Sequence, residues 1–203
     1  MQELLAQAVD LASNGQIAES LTFMDQAVKK YPGNPQLRYH YALLLAQNAE
    51  DYHPALAQLQ ELLKLEPSHI KGNFLMGELL ELGHDLPGAV NYYKVVAEND
   101  PDYPEVFYRL GVTLKQGDPE AAAKYLKKAV KSHSKNPDAY YQYALLLSEV
   151  LDKPEKAVKY FQKTLELDKE HLFANYDLAV LYHREKEMGK ARKYYQKAIK
   201  PIS

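Results

Sequence analysis

A spacing of about 34 residues recurs from one end of this chain to the other. The stretch NPQLRYHYALLL at residues 34–45 returns as NPDAYYQYALLL at residues 136–147, which is 102 residues, or three times 34, further on. The same unit fits six times and uses all 203 residues. The bounds of the six repeats are 1–34, 35–69, 70–103, 104–136, 137–171 and 172–203. Such a period predicts an array in which one structural unit stacks on the next.

Equivalent positions, numbered from the first residue of each repeat and allowing one residue for length changes in the middle turn, carry similar side chains. Position 8 is always small: Ala8, Ala42, Gly77, Gly111, Ala144 and Ala179. Position 20 is also small: Ser20, Ala55, Ala89, Ala122, Ala157 and Ala191. Position 24 is large: Met24, Leu59, Tyr93, Leu126, Phe161 and Tyr195. Apolar residues recur three, four and seven apart around a central turn, which predicts two antiparallel helices of about 13 residues per repeat.

Two of the expected helix starts carry capping signals. Asp118 stands before Pro119, which places an acceptor at the N-cap and a proline at the first helical position. Asp152 and Glu155 frame a Lys-Pro pair, a spacing that predicts a capping box with Asp152 as the N-cap.

A 34-residue helix-turn-helix with small residues at positions 8 and 20 and proline at position 32 resembles the tetratricopeptide repeat (TPR). Pro32, Pro67 and Pro101 match that proline, whereas Ser134 and Lys169 depart from it, and no repeat has the family's tryptophan at position 4. The resemblance covers all six repeats. It implies an all-α fold, an α-solenoid that forms a right-handed superhelix of twelve antiparallel helices, with residues 1–203 as a single domain.

The two ends of the array are predicted to face solvent. Positions 3, 7 and 10, which are apolar in most inner repeats, are Glu3, Gln7 and Asp10 in the first repeat. Position 21 is apolar until the last repeat, where it is Arg192. In a terminal repeat, the face that inner repeats bury against a neighbour is exposed to solvent. Polar residues on that face are therefore typical of a naturally terminated array.

Composition and motifs argue against catalysis. The chain has no cysteine and a net charge of −2, so thiolate chemistry is excluded and nothing in the overall charge favours nucleic acid or membrane. No signal peptide or membrane-spanning stretch is present, which favours a cytoplasmic protein.

Glu78, Glu81 and His84 have a spacing that metal ligands on a helix can have. Carboxylate-bridged metal sites need two such motifs, however, so a structural role is favoured for these residues. We expect no enzyme activity, no cofactor and no metal.

The resemblance also implies where a ligand would bind, since TPR first helices line a concave groove through positions 2, 5, 6, 9, 12 and 13. Position 5 is Leu5, Tyr39, Phe74, Tyr108, Tyr141 and Tyr176, an almost continuous aromatic series. The predicted groove residues are Tyr39, His40, Leu43, Lys71, Phe74, Glu78, Tyr108, Arg109, Val112, Tyr141, Leu145, Tyr176 and Val180. The alternative is that the position-5 rings serve packing and contact no ligand.

The predicted function is therefore a protein- or peptide-binding scaffold. The family's carboxylate clamp requires lysine at position 5 and asparagine at position 9, which no repeat has.

Charge is unevenly distributed along the chain. Residues 1–101 hold 6 basic and 13 acidic side chains (net −7), and residues 102–203 hold 19 basic and 14 acidic side chains (net +5). This asymmetry supports an alternative, a structural module whose copies associate weakly head to tail and separate as salt rises. The lysine-rich second helices lack the arginines and stacking aromatics of nucleic-acid binders.

Overall fold

The structure is a computed structural model that describes residues 2–48, 51–132 and 135–199. Over these ranges the chain forms twelve α-helices and no strand, which confirms the predicted all-α fold. The helices are α1 Gln2–Ser13, α2 Ile17–Lys30, α3 Pro35–Asn48, α4 His53–Leu65, α5 Ile70–Leu82, α6 Leu86–Asn99, α7 Pro104–Leu114, α8 Pro119–Lys131, α9 Pro137–Glu149, α10 Pro154–Leu167, α11 Leu172–Arg184 and α12 Met188–Ala198. Ser134 lies outside the described residues.

Successive helices pair across the turn in the middle of each repeat, α1 with α2 and so on to α11 with α12. The chain divides into two compact units, residues 1–101 with α1 to α6 and residues 102–203 with α7 to α12. Each unit therefore contains three helix pairs. The assignment of all 203 residues to one domain stays a prediction. Of the helices in the described ranges, none is both long and apolar enough to cross a membrane.

The core of each repeat forms where the small position 8 of the first helix meets the large position 24 of the second. Tyr93 is fully buried, and a Cβ added at Gly77 would come within 2.5 Å of its ring. A Cβ added at Gly111 would come within 2.4 Å of the Leu126 side chain, which is also fully buried. The sequence pattern of small and large positions thus reflects close approach of the two helices of a pair.

We expect Gly77→Ala to destabilise the first unit by about 1–3 kcal/mol, the usual cost of overpacking a core. Tyr93 cannot easily move away, because its ring is buried and its hydroxyl donates a 2.8 Å hydrogen bond to Glu81 Oε2. Chemical denaturation of both proteins would measure the loss. The matched control is Gly33→Ala in the same unit, where an added Cβ meets nothing within 4 Å. A Gly77→Ala protein as stable as this control would contradict the assignment of position 8 as a close contact.

One predicted cap is confirmed and the other is wrong. The Asp118 carboxylate accepts the Ala121 N–H at 2.9 Å at the start of α8. Asp152, by contrast, precedes the cap: Lys153 is the N-cap of α10, and Asp152 has a φ of 47° in the left-handed region. The reason is that Pro154 takes the first helical position, so the N-cap must be the residue directly before it.

The end-facing positions have the exposure that the sequence predicts. Glu3, Gln7 and Asp10 are exposed on α1, whereas Leu37, at position 3 of the second repeat, is fully buried. In the last helix Arg192 is exposed. The polar residues therefore lie on faces that inner repeats use for packing.

Candidate functional site

The predicted groove residues all lie on first helices, and none belongs to the buried core. In the first unit α3 and α5 carry Tyr39, His40, Leu43, Lys71, Phe74 and Glu78. In the second unit α7, α9 and α11 carry Tyr108, Arg109, Val112, Tyr141, Leu145, Tyr176 and Val180. Lys71 and Tyr176 are exposed and the others are half-buried. Each unit thus presents its own candidate surface, and a groove that joins the two stays a prediction.

The aromatic rings at position 5 pack against the second helix of their own repeat. The Phe74 ring lies 5.6 Å from that of Tyr93, the Tyr141 ring 5.8 Å from that of Phe161, and the Tyr176 ring 5.9 Å from that of Tyr195. Each of these partners occupies position 24. Packing therefore accounts for one contact of each ring, while Phe74 and Tyr141 are half-buried and Tyr176 is exposed.

In the first unit, the surface around Tyr39 is weakly basic. Its ring lies 5.3 Å from that of His40 and 5.4 Å from that of His69. Burial lowers the pKa of His40, and the neighbouring Lys71 and His69 lower it further. Protonation of His40 is thus opposed, which keeps this ring neutral at physiological pH.

An apolar cleft of about 370 Å³ lies in the same unit, between α1, α2 and α3. Leu5, Val9, Met24 and Leu43 are among the apolar residues that line it, and His40 lines it as well. Val9, which lines the cleft, is 60% exposed. The cleft is wide enough to take an apolar side chain of a partner.

The second unit has a different surface, built where α9 and α11 lie side by side. The Tyr141 hydroxyl donates a 3.0 Å hydrogen bond to Asp177 Oδ2. The Tyr141 ring lies 4.8 Å from the His171 ring and 6.3 Å from the Phe173 ring. Burial, together with the Asp177 carboxylate, raises the pKa of Tyr141, so this hydroxyl stays protonated and remains a donor.

His171 is held in one orientation by two hydrogen bonds. Its Nδ1 accepts the Ala174 N–H at 3.1 Å, which caps α11. Since Nδ1 is an acceptor, the proton of the neutral ring lies on Nε2, which faces Asp138 Oδ1 at 3.3 Å. The same cap occurs in the first unit, where His69 Nδ1 accepts the Gly72 N–H at 2.9 Å.

Four residues of these surfaces are absent from the sequence-predicted set: His69, His171, Phe173 and Asp177. The two histidines could have been found, because they stand 102 residues apart, as do Tyr39 and Tyr141 beside them. Phe173 and Asp177 occupy positions 2 and 6, which the family uses in its groove. Their proximity to Tyr141 is a tertiary contact that no local spacing reveals.

The metal-like spacing in α5 does not assemble a site. Glu81 accepts the Tyr93 hydroxyl, and His84 lies beyond the end of α5 with a φ of 62°. Among the residues that the structure describes, no three histidine, aspartate or glutamate side chains come together in a way that could hold a metal ion.

Comparison with known proteins shows what the chain resembles. A family model described as "Tetratricopeptide repeat" matches residues 5–50, 44–104, 113–148 and 150–203. The human protein named tetratricopeptide repeat protein 6 is 22% identical over 179 residues, which cover 88% of this chain and 32% of that protein. The chain thus spans about a third of the length of this curated relative.

Two solved structures share the fold. YrrB, described as a TPR protein with an unusual peptide-binding site, superposes with a TM-score of 0.73 at 24% identity, over 87% of this chain and 90% of its own. MamA from Desulfovibrio magneticus RS-1 superposes with a TM-score of 0.74 at 19% identity, over 84% of this chain and 96% of its own. At these identities the likeness concerns the fold alone.

Proposed function

The chain belongs to the tetratricopeptide repeat family, and from that membership we propose that it is a non-enzymatic scaffold that binds a protein or peptide on its first helices. Proteins of this fold include YrrB, whose description names a peptide-binding site. The binding surface is the set of predicted groove residues, extended in the second unit by Phe173 and Asp177.

One observation carries this proposal: large aromatic side chains are exposed on a first helix. Phe173 is 62% exposed and Tyr176 is 53% exposed, and both lie on α11. Exposed aromatic surface costs solvation free energy and marks interaction sites when it is contiguous. Tyrosine in particular buries a large area on binding with only two rotatable bonds to immobilise, and its hydroxyl can bond a partner's backbone.

The proposed binding mode is not that of the carboxylate clamp. Lysine and asparagine at positions 5 and 9 would be needed to hold a C-terminal acid, and Tyr39, Phe74, Tyr108 and Tyr141 stand at position 5 instead. Recognition through apolar and aromatic contacts suits an internal segment of a partner, whose side chains enter the spaces between rings.

Selection from a randomised peptide display library on the immobilised protein tests the proposal. We expect the selected peptides to bind Tyr176→Ala at least tenfold more weakly, since aromatic anchors carry 1–2 kcal/mol or more at such surfaces. The melting temperature should change little, because about half of this ring is already in water.

The matched control is Tyr31→Ala, which removes a tyrosine that is 37% exposed just after α2 and lies on no first helix. Its affinity for the peptides should equal that of the wild type. Peptides whose binding is unaffected by Tyr176→Ala and by removal of any other groove residue would contradict the proposal.

A further inference from the structure

One part of the second unit combines an exposed phenylalanine ring, a half-buried tyrosine and a carboxylate. We call it the α9–α11 patch, consisting of Tyr141, His171, Phe173 and Asp177. Phe173 and Asp177 are one helical turn apart, so they share a face of α11. Tyr141 reaches both from α9: its ring contacts the Phe173 ring, and its hydroxyl bonds Asp177. The patch therefore brings two aromatic rings and a carboxylate together.

Asp177 is a half-buried carboxylate in an environment that does not favour its charge. Burial raises its pKa, and the carboxylate of Glu149 raises it further, against the opposing effects of the Tyr141 hydrogen bond and His171. In the part of the chain that the structure describes, Tyr141 is the one hydrogen-bond partner of Asp177, and no lysine or arginine pairs with it. A charge held in this way lacks the compensation that buried charges usually have.

The charged groups nearby do not supply that compensation. On α9, Glu149 and Asp138 have the same sign as Asp177, and Asp138 faces His171. The charged groups that act on Asp177 are thus the like-charged Glu149 and the opposing His171, although residues 102–203 carry a net positive charge.

We propose that the α9–α11 patch binds an arginine side chain of the protein partner. The guanidinium would lie against the Tyr141 and Phe173 rings and donate hydrogen bonds to the Asp177 carboxylate. Arginine suits the site better than lysine, because its planar, weakly hydrated group stacks on aromatic faces and bonds carboxylates with two donors. This inference rests on the proposed function, since it names the chemistry of the ligand at that surface.

The first unit shows that the patch is specific to the second. Tyr39 and His69 repeat the contact of Tyr141 with His171. However, Lys71 stands where the second unit has Phe173, and the buried Leu75 stands where it has Asp177. The first unit therefore keeps the tyrosine–histidine framework without the carboxylate and the exposed ring, and it serves as an internal control.

The direct test uses a small probe that carries the side chain alone. We expect Nα-acetyl-arginine amide, titrated into the isotope-labelled full chain and followed by NMR, to shift resonances of Tyr141, Phe173 and Asp177 but not those of Tyr39. The matching citrulline derivative, which has the same shape without the charge, should bind about tenfold more weakly, the usual effect of losing a charged hydrogen-bond partner.

Asp177→Asn should also weaken binding of the arginine probe about tenfold, while the amide can still accept the Tyr141 hydroxyl. The matched control is Asp152→Asn, an exposed aspartate in the same unit and outside the patch, which should bind as the wild type does. If Asp177→Asn fails to fold, Phe173→Ala replaces it: this ring is exposed, and its loss should weaken binding about threefold or more.

Three results would overturn the inference: shifts spread over other acidic surfaces, equal binding of the citrulline derivative, or equal binding by the Asp177→Asn protein. Tighter binding of Nα-acetyl-lysine amide would overturn the choice of arginine. The peptide selection is a separate readout. Selected peptides that depend on Tyr176 but lack arginine would leave the proposed function standing and refute the arginine site. If the arginine probe binds at the patch but the selection yields no groove-binding peptide, the arginine site stands and the proposed function is refuted.

Discussion

Phe161→Ala is expected to destabilise the second unit by about 3–5 kcal/mol, the largest effect of any substitution considered for this protein. Phe161 is fully buried at position 24 of α10, and its ring supports the Tyr141 ring at 5.8 Å. Truncation would remove the apolar contacts of the whole ring and leave a cavity between α9 and α10. The cavity would also withdraw support from the α9–α11 patch.

The matched control is Phe173→Ala, the same substitution in the same unit at a side chain that is 62% exposed. Its stability should lie within about 0.5 kcal/mol of the wild type, as for most surface changes. Amide hydrogen exchange would locate the effect of Phe161→Ala, because repeat proteins lose stability first in the altered repeat and its neighbours. Protection should fall in residues 137–171 more than in residues 1–101. Equal losses in the two alanine variants would show that position 24 is not a core position.

Tyr108→Ala is expected to cost about 2 kcal/mol or more of binding free energy, which corresponds to roughly a thirtyfold loss of affinity. Tyr108 is half-buried on α7 and continues the position-5 series of the second unit. In the proposed binding mode this ring contacts the partner, whereas the rival interpretation assigns it to packing alone.

Calorimetric titration with a display-selected peptide, below the melting range of both proteins, would measure the affinity. Tyr108→Phe is the control, since it keeps the ring and removes the hydroxyl alone. A large fall in melting temperature with unchanged affinity would instead support the packing interpretation of the position-5 rings. Because the ring is half-buried, the loss of stability should be smaller than for Phe161→Ala.

The repeat pattern was enough to predict the helices and the core. Side chains three and four residues apart share a helix face whatever the rest of the chain does, so the spacing of Gly77, Tyr93 and their equivalents indicated both helices and their contact. For the same reason the predicted groove residues lie on first helices, with none in the core. Asp118 could be predicted as a cap because capping is local, and Asp152 was misassigned by one residue where Pro154 set the helix start.

Contacts between side chains of different repeats could not be predicted from the repeat pattern. Tyr141 and Asp177 are 36 residues apart, and whether their side chains meet depends on how α9 and α11 pack and on which rotamers that packing allows. The family resemblance assigns positions 5 and 6 to the groove, but it carries no information on the distance between these two side chains. The sequence therefore determined the repeats, their small-to-large core and the helices that carry the predicted groove residues. The tertiary structure alone decided that the Asp177 carboxylate meets the Tyr141 hydroxyl beside the Phe173 ring, because helix periodicity is a local property and helix–helix packing is not.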